Sequence, residues 1–374
     1  MDIKIGMVAP TKAGKTSILS AILSEVKERL SGNTQNIQYC PADEATSNAI
    51  KRALSTFAAC TAGGDGKVFE TPQMQGSQSI LNYKFEFSIP VETAIEKIAI
   101  EILDYPGGLL GQSDYNAKVL PFLNECCALI VPIPADLLME LASVFGQENP
   151  HAIKTSVRAQ EMLDIGNVVS TVKDWMTRKN RNAPGDHVLV SFVPIRCENC
   201  FNDNGGNFDK SDLLFEAVQK FYVEPLGDPK GYGDKLHTEI LAVDTYGIVE
   251  LRDVVLSRDG KELVSTFLRR TWMKNRVQPK CAFELLVDIL RLQLKNQAEK
   301  LGMACKELQR RINERSFLAD ILALIFGDSE KKKIVANIQM EHGAYQAIDA
   351  LDQLYEKSET RLCLEPLRDG RVVR

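Results

Sequence analysis

Apolar runs typical of strands alternate with segments of helical periodicity along the first 250 residues. The first run covers residues 2–8, and apolar side chains then recur at helical spacing from Ile18 to Leu30. Further strands are predicted at 80–89, 98–103, 127–133, 188–193 and 238–243, and further helices at 115–125, 153–179 and 212–221. Strands separated by helices predict an α/β fold, a three-layer α/β/α sandwich with a mainly parallel sheet.

The second and third strands predict an antiparallel edge to this sheet. Tyr83, Phe85 and Phe87 alternate along the segment 80–89, as expected of a strand with one buried face. A short polar turn joins this segment to the strand at 98–103. Because a short turn joins antiparallel neighbours, we expect these two strands to pair with each other. We expect the pair to form an edge of the sheet, beside the first strand.

The pattern changes after Asp244, where helices and buried strands no longer alternate. Residues 254–264 predict a hairpin that turns at Asp259–Gly260. From Pro279 onward, apolar side chains form a heptad-like seam of about thirty residues, which favours packing on the chain's own domain over an intermolecular coiled coil. We therefore expect an α/β domain at 1–250, a hairpin connector at 251–275 and a helical domain at 276–374.

One short segment of the tail, residues 317–326, is very apolar and is flanked by arginines and lysines. A buried helix is the favoured interpretation, with contact to a membrane surface or a partner protein as the alternatives. Elsewhere no apolar run reaches the ~20 residues that a membrane span requires.

Composition narrows the functional class. Hydrophobic residues make up 44% of the chain and charged residues 25%, and the formal net charge is −5. A net negative charge argues against a general nucleic-acid-binding protein. The nine cysteines, odd in number and irregularly spaced, favour reduced thiols and a cytoplasmic location.

The first strand runs directly into a phosphate-binding motif and then into the first helix. The motif fits [A/G]-x-x-x-x-G-K-[S/T], and the residues predicted to contact the nucleotide phosphates are Ala9, Pro10, Thr11, Lys12, Ala13, Gly14, Lys15, Thr16 and Ser17. Backbone N–H groups at the helix start would face the phosphates, and Lys15 would add positive charge. The Thr16 hydroxyl is the expected Mg²⁺ ligand. The chain is therefore predicted to bind a nucleotide.

A second motif, Asp104-Tyr-Pro-Gly107, stands at the end of the strand 98–103. The Asp104 carboxylate can hold Mg²⁺ and the Gly107 N–H can bind the γ-phosphate. Asp, Pro and Gly also form ordinary turns, but the position downstream of a phosphate loop favours the functional interpretation. Thr71, in the polar segment before the edge strand, is a further candidate Mg²⁺ ligand.

The order of phosphate loop, polar segment, edge strand and D-x-P-G turn resembles that of TRAFAC-class GTPases, the group of Ras-, septin- and dynamin-like proteins. The resemblance covers residues 1 to about 250, and it implies a P-loop fold, GTP and Mg²⁺ as cofactors, and hydrolysis of GTP. The degenerate motifs and divergent tail look most similar to bacterial double-GTPase-type proteins of conflict and defence operons.

Base recognition departs from the family pattern. TRAFAC members end a strand in [N/T]-K-x-D, whereas here the matching strand is followed by Arg196-Cys-Glu198. Glu198 could accept two N–H bonds from guanine while the stem of Arg196 covers the base face, or both could belong to a charged surface loop. GTP is therefore favoured over ATP, and ATP is not excluded.

The catalytic group is also altered, since Gly108 stands where Ras-like members have the glutamine that orients the attacking water. Gln112 and Lys12 are the candidate replacements, along with the charge of Lys15. We expect a slow or partner-dependent switch that contacts a protein partner through segments 61–79 and 105–116 and the helical tail. The alternatives are a nucleotide-binding scaffold with little turnover and an ATP-using enzyme.

Overall fold

The computed structural model describes residues 1–31, 35–61, 66, 68–71, 79–92, 94–110, 112–182, 185–201, 209–227, 235–269, 279–313, 329–354 and 361–363. In chain order the strands are β1 (Asp2–Met7), β2 (Gln38–Pro41), β3 (Val68–Glu70), β4 (Leu81–Val91), β5 (Ala94–Asp104), β6 (Ala128–Pro134), β7 (Val188–Ile195), β8 (Leu236–Leu241), β9 (Val249–Leu256), β10 (Leu263–Arg269) and β11 (Arg361–Cys363). The helices are α1 (Lys15–Leu30), α2 (Glu44–Thr61), α3 (Ser113–Lys118), α4 (Leu120–Glu125), α5 (Ala135–Val144), α6 (Pro150–Leu163), α7 (Ile165–Asn182), α8 (Ser211–Val218), α9 (Ala282–Asn313) and α10 (Ser329–Leu354).

Eight strands form the central sheet, in the order β11-β8-β7-β6-β1-β5-β4-β2. The five neighbouring strands β8, β7, β6, β1 and β5 are parallel to one another. The strands on either side of them, β11 and β4, run antiparallel to β8 and β5 respectively. The chain therefore has an α/β fold with a mainly parallel sheet, in agreement with the sequence pattern. Parallel strands place their carboxyl ends at one edge of the sheet, where ligands bind in open α/β folds.

Helices cover both faces of this sheet because β1 and its neighbours are apolar on both sides. Ile3 and Ile5 of β1 belong to a cluster that includes α1, α9 and α10. Leu129 and Val131 of β6 belong to a second cluster that includes α4, α5, α7 and α8. Strands buried on both faces are typical of parallel sheets.

The predicted antiparallel pair is confirmed. β4 pairs with β5 along its whole length, and Tyr83, Phe85 and Phe87 are all buried. The edge position itself, however, is occupied by the short strand β2, which pairs with β4 and was not predicted.

Two predicted helices are each divided in the structure. The single helix expected over 153–179 is wrong, because Asp164 has a left-handed φ of 46° and separates α6 from α7. The helix expected over 115–125 is divided at Val119 into α3 and α4. Pro121 lies in the first turn of α4, where its missing N–H costs no helical hydrogen bond.

A second, three-stranded sheet has the order β3-β10-β9 and is antiparallel throughout. The β9–β10 hairpin confirms the predicted turn at Asp259–Gly260, with Gly260 at a φ of 67°. The third strand, β3, comes from a segment nearly 200 residues before its partner β10, so sequence periodicity gave no indication of this pairing.

The helical tail packs on the central sheet through α9. Phe283, Val287, Leu290 and Leu294 are fully buried in the same cluster as β1 and α1. The buried Glu25 of α1 accepts a 2.8 Å hydrogen bond from the backbone N–H of Phe283. This part of the seam therefore packs within the chain, as favoured, whereas the division at residues 250 and 275 stays a prediction.

The apolar segment 317–326 lies outside the described residues. Within the described helices, none combines the length and the apolar character needed to cross a bilayer.

Candidate functional site

The phosphate motif forms a tight loop between β1 and α1. Lys12 and Gly14 both have left-handed backbone conformations, with φ values of 61° and 88°. Glycine suits position 14 because it adopts this backbone conformation without strain. In addition, a Cβ at position 14 would overlap the side chain of Ile195. Gly14 provides no side-chain cap to the first turn of α1. This is the arrangement in which a helix start can bind an anion.

Lys15 folds back over this loop. Its Nζ donates hydrogen bonds of 2.8 Å to the Ala9 carbonyl and 3.1 Å to the Pro10 carbonyl, and it lies 5.0 Å from the ring centroid of Tyr105. Burial lowers the pKa of Lys15 to about 8, and the negative charge of Asp104 only partly opposes this. An anion bound at the loop would favour the charged ammonium and raise this pKa again.

Thr16 and Asp104 lie together, as a shared Mg²⁺ site requires. The Thr16 hydroxyl donates a 2.9 Å hydrogen bond to Asp104 Oδ2, and Asp104 is 1% exposed. The parallel register of β1 and β5 aligns Gly6 with Leu103, so the two strands end side by side. A hydroxyl and a carboxylate oxygen are the hard ligands that Mg²⁺ prefers, so these residues fit the ion.

Gly107 packs directly on the phosphate loop. A Cβ at this position would overlap backbone atoms of Pro10 and Thr11, so only glycine fits without moving the loop. Tyr105, two residues earlier, is buried and stacks edge-to-face on Tyr115 at 5.7 Å. The D-x-P-G turn and the phosphate loop are therefore in backbone contact.

Beside these two segments lies a cavity of about 380 Å³. Thr11, Lys12, Gly107 and Gly108 line one side of it, and Thr71 also reaches it from the end of β3. The structure thus brings the second sheet to the same cavity as the phosphate loop.

Gln112 and Lys12, the candidate replacements for the missing glutamine, each contact another part of the chain. The Gln112 amide donates a hydrogen bond to the Gly108 carbonyl. The Lys12 ammonium lies 3.8 Å from the carboxylate of Glu262, at the turn between β9 and β10, and both side chains are about two-fifths exposed. Exposed ion pairs of this kind are weak, so the Lys12 side chain can leave Glu262 at little cost.

Arg196 makes a buried connection to the phosphate loop. Its φ of 56° turns the side chain inward, where Nη1 lies 3.0 Å from Asp136 Oδ2 and Nη2 donates a 2.9 Å hydrogen bond to the Lys12 carbonyl. In this arrangement the guanidinium contacts α5 and the loop. The predicted contact of its stem with a base stays a prediction.

Asp136 extends this connection to the second sheet. The Ser265 hydroxyl of β10 donates a hydrogen bond to Asp136 Oδ2, and the Ser265 N–H donates a 3.1 Å hydrogen bond to Thr71 Oγ1. Arg196, Asp136, Ser265 and Thr71 are all at least nine-tenths buried. We call these four residues the buried polar chain. Sequence reasoning missed Asp136 and Ser265, because neither lies in a recognisable motif.

Glu198 is 2% exposed, and neither carboxylate oxygen accepts a hydrogen bond from another described residue. Burial, and then the nearby charge of Asp244, raise the pKa of Glu198 well above its usual range. Asp244 follows β8, and its carboxylate accepts hydrogen bonds from the N–H groups of Tyr246 and Gly247. The loops after β7 and β8 therefore come close together at Glu198.

Comparison with known proteins identifies no family and finds a distant structural likeness. No protein-family model matches the chain, and no curated protein matches it. Among solved structures, one match is the S. cerevisiae Ski7 GTPase-like domain bound to GTP, with a TM-score of 0.32 and 11% sequence identity. The match covers 65% of this chain and 43% of that one, so this chain spans less than half of the matched structure.

The Arg196–Asp136 pair yields a prediction about stability. Asp136→Ala should destabilise the protein by about 3–5 kcal/mol, because it leaves a buried guanidinium without its carboxylate. Removing both charges in Asp136→Ala/Arg196→Met should cost less than the sum of the two single changes. Urea unfolding of Asp136→Ala, Arg196→Met and the double variant measures this coupling. Losses of stability that add strictly in the double variant would contradict it.

Proposed function

We propose that this chain binds a nucleoside triphosphate with Mg²⁺, preferring GTP, and hydrolyses it as a slow or partner-dependent switch. The observation that carries the proposal is the buried Lys15 ammonium, folded over a left-handed loop beside the Thr16–Asp104 hydrogen bond. Loop, ammonium and hydroxyl–carboxylate pair are the three elements that bind triphosphate and metal in P-loop proteins. All three lie at the carboxyl ends of neighbouring parallel strands.

Each residue has a defined role in this proposal. The loop N–H groups and Lys15 bind the phosphates, and the Gly107 N–H faces the γ-phosphate. Thr16 and Asp104 would hold the Mg²⁺, with Thr71 as a further ligand, and the ion would neutralise charge on the phosphate oxygens. The contact of Gly107 with Pro10 and Thr11 supports this arrangement, since a γ-phosphate at the loop would meet both segments.

Hydrolysis requires water to attack the γ-phosphorus while the bond to the β-phosphate breaks, leaving GDP and phosphate. Lys12 would stabilise the charge that develops on the leaving oxygens, and Gln112 would orient the water. Both side chains have to leave their present partners, Glu262 and the Gly108 carbonyl. Because Gly108 stands where a water-orienting glutamine would be, and Gln112 is bonded to the Gly108 carbonyl, we expect turnover to be slow without a partner.

The same contacts support a second candidate function, a nucleotide-binding scaffold with little turnover. The release of phosphate from saturating GTP distinguishes the two functions, because the switch releases phosphate and the scaffold releases little. The sequence resemblance to TRAFAC-class GTPases extends the proposal to a biological process. On that resemblance alone, the switch would act in bacterial defence.

Nucleotide titration by calorimetry tests the binding site. Lys15→Ala should weaken GTP binding about tenfold or more, with or without Mg²⁺, because a charged hydrogen-bond donor is lost. Asp104→Ala should instead lose mainly the dependence of affinity on Mg²⁺. Lys27→Ala, an exposed lysine of the same helix, is the matched control and should behave as wild type.

One result would contradict the assignment of Asp104 to the metal. If Asp104→Ala keeps the Mg²⁺ dependence of the wild-type protein, that carboxylate does not act through the ion.

Glu198→Gln tests how the base is recognised. Two N–H donors of a bound guanine would favour the charged form of Glu198, and that carboxylate can accept both of them, whereas an amide presents one of its own donors. We expect GTP affinity to fall by about 1.5–3 kcal/mol and ATP affinity to stay unchanged. Competition of labelled GTP with unlabelled GTP and ATP measures both, with the exposed Glu148→Gln as control. An equal, small effect on both nucleotides would place base recognition elsewhere.

A further inference from the structure

An exposed seam follows one side of α10. Lys331, Val335, Ile338, His342, Tyr345 and Asp349 recur at alternating steps of four and three residues, which places them on one face of the helix. Val335 is 55% exposed, Ile338 52% and Tyr345 46%. Large apolar side chains at this spacing are typical of a helix that packs against another helix.

The opposite face of α10 accounts for its packing within the chain. Gly343, Ala344, Ala347, Ala350 and Leu351 are buried there, and Cys305 of α9 contacts the backbone carbonyl of Ile334. The buried face therefore carries mostly small residues, whereas the solvent-facing seam carries larger apolar ones. The apolar residues of the seam, Val335, Ile338 and Tyr345, are not part of this buried face.

The turn between β4 and β5 supports one flank of this helix. Glu92 donates its backbone N–H to Gln346 Oε1, and its carboxylate lies 3.7 Å from His342 Nε2. These contacts fix α10 against the sheet while leaving the seam residues exposed. The surface is therefore already formed in the single chain, which lowers the entropic cost of binding a partner.

The seam is complementary in charge to a second copy of itself that runs in the opposite direction. When two copies of α10 lie antiparallel and cross at Met340, Lys331 faces Asp349, Val335 faces Tyr345, and Ile338 faces His342. Both ends of the pair then bring a lysine against an aspartate. A parallel pair would instead place lysine against lysine and aspartate against aspartate.

We propose that this seam binds a second copy of the chain, with α10 packed antiparallel on α10 in a two-fold symmetric dimer. A two-fold interface joins the same patch on both subunits, which is the relation that the seam shows. The contact is about 27 Å long from Lys331 to Asp349 at the helical rise. An interface of this size is small, so the dimer should form and dissociate rapidly.

This inference is independent of the proposed function. The β4–β5 turn that borders α10 lies at the start of β5, whereas Asp104 ends that strand. The dimer surface and the phosphate loop are therefore at opposite ends of the sheet.

Sedimentation of the full chain over a concentration series tests the proposal. Lys331→Asp alone or Asp349→Lys alone places like charges opposite each other at both ends of the pair, and each should weaken association roughly tenfold. An equimolar mixture of the two variants restores opposite charges at both ends. It should therefore associate as well as the wild type does.

An apolar substitution gives a second measurement. Ile338→Asp should leave the protein monomeric, whereas Val255→Asp, at an exposed apolar residue of β9, should associate normally. Circular dichroism checks that each variant is folded. A wild-type chain that stays monomeric at every concentration would overturn the proposal, as would charge variants whose mixture associates no better than either alone.

Discussion

The position of the Lys15 ammonium is the constraint on which the candidate site depends. Removing an ammonium from water is costly, and here the carbonyls of Ala9 and Pro10 offset part of that cost. They can do so only because the loop turns back on itself through left-handed residues at Lys12 and Gly14. A buried cation whose pKa is lowered by burial is poised to gain from an anion.

The buried polar chain extends this constraint to the second sheet. Arg196 bonds to the carbonyl of Lys12, and the chain ends at Thr71, which lines the same cavity as the phosphate loop. A shift of the loop would break a buried, charge-assisted hydrogen bond or move the second sheet with it. Coupling of this kind is what a nucleotide-dependent switch requires, and here it runs through residues outside the recognised motifs.

Local sequence signals predicted the parts of the site that are contiguous in the chain. The phosphate motif follows β1 and Asp104 ends β5, so their positions could be inferred from the strand ends alone. The pairing of Arg196 with Asp136 could not be inferred, because it joins residues 60 positions apart. The sequence around Arg196 indicates a base contact or a charged surface loop, and Asp136 lies in no recognisable motif. Similarly, helical periodicity continues through Asp164, and only the left-handed backbone there shows where α6 ends.

Proton uptake on nucleotide binding tests the central claim most directly. We would titrate GTP at pH 8 by calorimetry in buffers of different ionisation enthalpy, comparing the wild-type protein with Lys15→Arg. Because the pKa of Lys15 is about 8, this side chain is about half protonated in the free protein and fully protonated beside bound phosphate. The wild-type protein should therefore take up about half a proton more than Lys15→Arg, whose guanidinium stays charged throughout. Equal uptake by two proteins that both bind GTP would contradict the assignment of Lys15 to the phosphates.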